Sequence, residues 1–251
     1  MIQREAPEAR RVIRSSQRWT DLLGMSFSRF FDGLRIEVFA ADREADHEAA
    51  LRRVEEALTL IKTHDPLRYN RLVHDLKRVR VRPLMASWGT YSISLKSCDL
   101  DDRFVTDETI SLKQIASTIV HEATHLRLHR SGIGYEEKLR ARVEAVCIRR
   151  ELAFASNLSN AEEVREHAEM RLSCYAAVPE YLSDAARIQR IREDFIERAR
   201  EHSMPGWLIS VMLAHDQTMG VLRRVRRRVF GIIRLRSAKV RPRDMKRERC
   251  R

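Results

Sequence analysis

Apolar residues recur along this chain in two regimes. Near the N-terminus "LRIEVFA", residues 34 to 40, reads as a strand, and "VRVRPLM" and "GTYSISL", separated by "ASWG", read as two extended segments. Pro83 has no amide hydrogen for a ladder and argues for an edge position in the first of that pair. Between these segments Asp42 caps a helical pattern through "HEAALRRVEEALTLIKTH" to His64, Asp65-Pro66 ends it, and a short helix follows at about 67 to 78.

From Thr109 onward the period is helical: 110 to 130, 135 to 157, 161 to 176, 180 to 202 and 206 to 230, broken at Gly132, Pro179 and Pro205-Gly206. Strands early and helices late predict an α+β fold, mostly helical, with a small N-terminal antiparallel sheet packed on a helix hairpin and further helices after it. No internal repeat is present at periods of twenty to fifty residues.

Charge divides the chain. The formal net charge is +12, and residues 221 to 251, with fourteen Lys or Arg against two acidic residues, carry all of it. The first 220 residues are therefore neutral, which argues against a folded body that grips phosphates and predicts domains at 1 to 220 and 221 to 251. The last residues, "RLRSAKVRPRDMKRERCR", have too few apolar side chains to pack and predict disorder.

Four cysteines, Cys98, Cys147, Cys174 and Cys250, contain no CxxC pair, which excludes a zinc ribbon and points to a reducing compartment. "MIQREAPEARRVIRSS" has no apolar run to act as a secretory signal, and "WLISVMLA" is too short to span a membrane. A cytoplasmic protein is expected.

The segment "IASTIVHEATHLRLHRSGIG" brings chemistry to this outline. "HEATH" is an HExxH pattern: His121 and His125, one helical turn apart, project to the same side and can reach one zinc ion, with Glu122 beside the remaining coordination position as the base for a polarised water. A shuffled chain of this composition shows the pattern with a probability of roughly three per cent, so the surroundings must decide. At about 100° per residue, Leu112, Ile115, Ala116, Ile119, Ala123 and Leu126 gather on one side, while His121, His125, Gln114 and Thr118 lie opposite. Histidines filling a core would stand among the leucines; these face away, as on a helix lining a cleft or on a plain solvated face.

A third ligand must arrive from elsewhere. "SGIG", residues 131 to 134, can reverse the chain into a second helix bearing Glu137, Glu144 and Glu151, all on one face. With the turn centred near residue 133, Glu144 falls between the levels of His121 and His125, Glu137 sits level with His129, and Glu151 with Ile115. At a rise of 1.5 Å per residue the latter two are displaced by roughly 9 Å or more along the axis. Glu144 is the expected ligand. His129 has drifted about 80° from His121 and suits a supporting or surface role, and Cys147, one turn after Glu144, is an alternative ligand or a small packing residue.

His121, Glu122, His125 and a glutamate nineteen residues later on a following helix together resemble the gluzincin branch of the zincin metallopeptidases, over about residues 85 to 157. The resemblance implies that His121, His125 and Glu144 bind zinc, that Glu122 is the general base, and that a peptide or protein substrate lies along an edge strand, expected at "GTYSISL". It also implies a downstream Tyr or His to stabilise the oxyanion, for which Tyr175, Tyr181, His167 and His202 are available. Leu128 stands where the metzincin branch carries glycine, which sets that branch aside.

The basic tail allows a competing reading. Arginines around Val225, Val229 and Ile232 suit a solvated helix end, an anionic membrane surface or nucleic acid. In that case the chain is a binding protein and HExxH a structural or relic metal site.

Overall fold

The structure, a computed structural model, describes residues 27–39, 44–201 and 203–214. Strands β1 (Phe27–Phe31) and β2 (Leu34–Val38) form a hairpin around Asp32-Gly33, with φ of 48° and 83°. A two-residue turn with both residues left-handed matches the strand twist, and Asp-Gly adopts it readily. "FDGL" was the signal for this hairpin, and β1 is an element the periodicity of the sequence did not announce.

After β2 the chain crosses through α1 (Glu44–His64) and α2 (Pro66–Asp75) into β3 (Arg78–Arg82). α1 buries Ala50, Leu51, Val54, Ala57, Leu58 and Ile61, a stripe at helical spacing. Asp65 caps α2 by accepting the Arg68 amide at 3.0 Å, and Pro66 occupies its first turn. β4 (Gly89–Ser92) and β5 (Ser97–Asp101) complete a five-stranded sheet in the order β1-β2-β3-β5-β4.

Two sequence expectations need correction here. The sheet is mixed, because the helical crossover returns the chain to the end where β2 began and makes β3 parallel to β2, and β4, running back between β3 and β5 in the chain, leaves β5 parallel to β3; β1 and β4 are the antiparallel members. β3 is central and bonded on both sides, and Pro83 lies just past its end, so the proline costs no ladder bond. The edges are β1 and β4.

β5 was hidden by its polarity: "SCDLD" is buried throughout, with Cys98 and Leu100 towards the core. Behind the sheet Asp99 receives Arg80 Nε at 2.8 Å, Arg82 Nε at 2.8 Å and Ser97 Oγ at 2.7 Å, which makes its burial tolerable.

The rest is helical: α3 (Asp102–Thr106), α4 (Leu112–Arg130), α5 (Glu137–Ala155), α6 (Glu162–Ala177), a 3-10 turn at Pro179–Leu182, α7 (Asp184–Glu201) and a further helical stretch at 206–214. The fold is α+β and mostly helical, as expected. Ser111 and Gln114 form a reciprocal capping box that starts α4. Gly132, at φ 80°, ends it: its amide donates to the His129 carbonyl and that of Ile133 to Leu128, both at 3.0 Å, closing the helix and turning the chain into α5.

The apolar sheet face formed by Leu34, Ile36, Val38, Val79, Val81 and Leu100 joins α1 and the inner face of α4, Ile115, Ile119, Val120 and Leu126, in one core. α4 is thereby fixed beside β4 with its histidine face outward from that core. The chain divides into two compact units at residues 191 and 192, and the first contains the sheet and the α4–α5 hairpin. No helix among the described residues is long and apolar enough to cross a membrane. The boundary expected at residue 220, the basic segment 221–251 and its expected anionic partner lie outside the described residues.

Candidate metal centre

α4 is buried on both faces: Ile115, Ile119 and Leu126 enter the core, while His121, Glu122 and His125, each no more than 6% exposed, face α5 and a cleft. The Nε2 atoms of His121 and His125 are 3.0 Å apart. Glu144, from α5, places Oε2 at 3.2 Å from His121 Nε2 and Oε1 at 3.4 Å from His125 Nε2. Ligands held about 2.0 Å from one tetrahedral ion are separated by about 3.3 Å, so these atoms are spaced as neighbours around a common centre. Two imidazoles and one carboxylate form a donor set that would suit zinc.

Cys147 is also close. Its sulfur and the two imidazoles offer ligand atoms that all lie within 4.8 Å of one another, and the thiol is fully buried. Glu144 lies within 3.4 Å of both Nε2 atoms, and its carboxylate is held far below its usual range: burial raises it, but hydrogen bonds and charge from His121 and His125 outweigh that. Burial and the carboxylates of Glu144, Glu122 and Glu151 push the Cys147 thiol up and disfavour its anion.

Around these atoms lies a supporting layer that the sequence reading missed. His121 Nδ1 is hydrogen-bonded to Glu151 Oε1, which fixes the tautomer and leaves Nε2 free to ligate. Arg171, from α6, donates to the same Glu151 oxygen, and Ser117 Oγ donates to Oε2 at 3.2 Å. Tyr135, from the turn before α5, donates its hydroxyl to Glu144 Oε1 and packs edge-on against His125. Tyr91, on β4, stacks on that imidazole at 5.1 Å. Glu151 was expected to lie out of reach. In antiparallel helices each side chain leans towards its own N-terminus, so His121 and Glu151 lean towards each other and close the axial gap.

Electrically the cluster favours a cation. Burial lowers the His121 imidazole, yet the carboxylates of Glu151 and Glu144 overcome it and push the ring up to about 10. Glu122 is different: burial pushes its carboxyl above the ordinary value despite the opposing influence of His121 and His125. His125 Nδ1 is buried without a partner.

A cleft of about 740 Å³ opens over His121, Glu122, His125 and Glu144. β4 forms one wall through Gly89, Thr90 and Tyr91, and residues around Tyr175, Tyr181 and Arg187 line it as well. Gly89 permits close approach of β4 to α4: a β-carbon there would stand 2.8 Å from Thr118 Cγ2 and 3.0 Å from Glu122 Cγ. Of the four oxyanion candidates, Tyr175 and Tyr181 line the cleft and stack on each other at 5.8 Å. His167 packs instead on Trp88 at 4.7 Å, and His202 lies outside the described residues. His129, in the last turn of α4, is not among the residues brought together at the cluster.

Comparison of the chain with protein-family models, with curated proteins and with solved structures gives no match.

Proposed function

We propose that this chain is a zinc-dependent peptidase of gluzincin type, with His121, His125 and Glu144 holding the metal and Glu122 acting as general base. The observation that carries the reading is the convergence of two Nε2 atoms and a carboxylate at 3.0 to 3.4 Å, with Glu122 beside them in the same cleft. A zinc ion bound there supplies Lewis acidity towards water and the scissile carbonyl.

The side chains divide the remaining work. Glu122 accepts a proton from the attacking water on its carboxylate and returns it to the leaving amine, so that the base of the first step is the acid of the second. β4 pairs with β5 on one side only, so its other edge offers backbone groups to an extended peptide laid across the cleft. Tyr175 and Tyr181 stand on the cleft wall as donors for the developing oxyanion. Arg171, Glu151 and Tyr135 hold His121 and Glu144 in place. The reduced cysteines Cys98, Cys147 and Cys174 support a cytoplasmic setting.

The test is metal analysis joined to hydrolysis of an unstructured fluorescent casein. The reading expects one zinc per chain after purification at neutral pH without chelator, and loss of hydrolysis on treatment with phenanthroline. Glu122→Gln should keep the zinc and lose about 10²- to 10⁴-fold in kcat. Absence of stoichiometric metal in the wild-type chain would overturn it.

A further inference from the structure

The acidic groups of the cleft are gathered at the metal cluster, whereas another part of its wall is basic. Arg187 and Arg190 sit three residues apart near the start of α7 and line the cleft, as does Arg140 of α5. Among the described residues no carboxylate pairs with Arg187 or Arg190; the neighbouring Asp184 is taken by Arg140 at 2.6 Å.

Arg190 is already oriented. It donates to the Tyr181 carbonyl at 2.7 Å and its guanidinium lies 3.9 Å from the centroid of the Tyr181 ring, contacts that fix the planar fork without neutralising it. Arg140 is 5% exposed, donates to the Leu182 carbonyl as well as to Asp184, and keeps a buried Nε with no partner. The charge of Arg187 is felt by Tyr91 and Tyr135, the two rings packed on His125, which places this basic wall beside the metal cluster.

Of the five arginines lining the cleft, Arg82, Arg140 and Arg171 pair with Asp99, Asp184 and Glu151, whereas Arg187 and Arg190 have no anion among the described residues and fit a negatively charged group on the bound molecule. We propose that the peptide taken by this cleft presents a carboxylate, from an acidic side chain or from its own C-terminus, to Arg187 and Arg190, with Arg140 behind them. The inference rests on the peptidase reading of the metal centre and adds its substrate class. A guanidinium fork matches a carboxylate in two parallel hydrogen bonds, and the same wall repels a Lys or Arg at that position.

The experiment uses the full chain carrying Glu122→Gln, loaded with zinc so that it binds without turnover, and three labelled decapeptides differing at one place. One has a central Glu and an amidated C-terminus, one has Gln and an amidated C-terminus, and one has Gln and a free C-terminal carboxylate. Fluorescence anisotropy should show at least one carboxylate peptide bound about tenfold more tightly than the neutral one. Which one it is identifies the source of the carboxylate.

Adding Arg187→Ala and Arg190→Ala should reduce that advantage to less than about twofold, with zinc content unchanged. Arg187→Glu should turn the preference towards a Lys-containing peptide. Equal affinity for all three peptides, or an advantage that survives the double substitution, would overturn the proposal. The two readings fail separately: zinc-dependent hydrolysis of the neutral peptide by the unsubstituted chain, with no carboxylate advantage in binding, removes this inference alone. Arginine-dependent carboxylate binding by a chain that holds no zinc removes the peptidase alone.

Discussion

Nδ1 of His121 and Oε1 of Glu151 are hydrogen-bonded across the α4–α5 hairpin, thirty residues apart in sequence. Glu151 is itself held by Arg171 and Ser117, so it can turn the imidazole towards the cluster and raise its basicity as a ligand. Glu151→Gln keeps the shape but removes the charge, and is expected to weaken zinc binding about 10- to 100-fold. Competition against a chromophoric chelator measures it directly. Unchanged affinity would reduce Glu151 to a packing role.

In the proposed zinc site Glu144 and Cys147 are the two candidates for the third ligand, and single substitutions separate them. Glu144→Ala should abolish stoichiometric zinc, because it removes the carboxylate spanning both imidazoles at 3.2 and 3.4 Å. Cys147→Ala should retain zinc and cost about 1 kcal/mol in stability through a small cavity. Metal analysis of the two purified variants decides: zinc kept by Glu144→Ala and lost by Cys147→Ala would exchange the assignment.

How much of this centre was legible beforehand follows from where its contacts lie. His121, Glu122 and His125 share one helix, and Glu144 lies across a single short turn, so local period and hairpin level were enough to bring them together. Glu151 was excluded by counting axial rise along Cα positions, which ignores the opposite lean of side chains in antiparallel helices. Tyr135, Tyr91 and Arg171 carried no periodic signal, since each reaches the centre from a turn, an edge strand or a third helix. In the sheet, alternation found β2, β3 and β4, but β5 disguised itself as a polar segment because its Asp99 is buried by ion pairs rather than by water.

Gly89 brings β4 against α4 where Glu122 stands. In Gly89→Ala the new methyl meets Thr118 Cγ2 at 2.8 Å and Glu122 Cγ at 3.0 Å, so strand or helix must shift. The expected cost is about 1–3 kcal/mol of stability, typical of overpacking, together with a fall in kcat as Glu122 is displaced. Thr118→Ser removes the clashing methyl and keeps the hydroxyl that donates to the Gln114 carbonyl at 3.0 Å. Gly89→Ala combined with Thr118→Ser should therefore recover part of the thermal midpoint lost by Gly89→Ala alone; no recovery would show that the contact with Glu122 dominates.

Asp99 supplies a pH dependence that is independent of the metal. Burial pushes its carboxyl up, but the hydrogen bonds from Arg80, Ser97 and Arg82 together outweigh that and hold it below the ordinary carboxylate value. The unfolded chain, where an aspartate titrates near about 3.9, therefore takes up this proton first as pH falls. The stabilisation is complete above that value, declines below it, and is gone once the pH has passed the folded carboxyl's own lower value. Asp99→Asn should cost about 3 kcal/mol at pH 7, the low end for a broken buried pair because Arg80 and Arg82 keep contact with water. Urea midpoints of both proteins between pH 7 and pH 3 provide the measurement. The gap between them should narrow towards the acid end, and a gap independent of pH would mean that Asp99 contributes through packing and not through its charge.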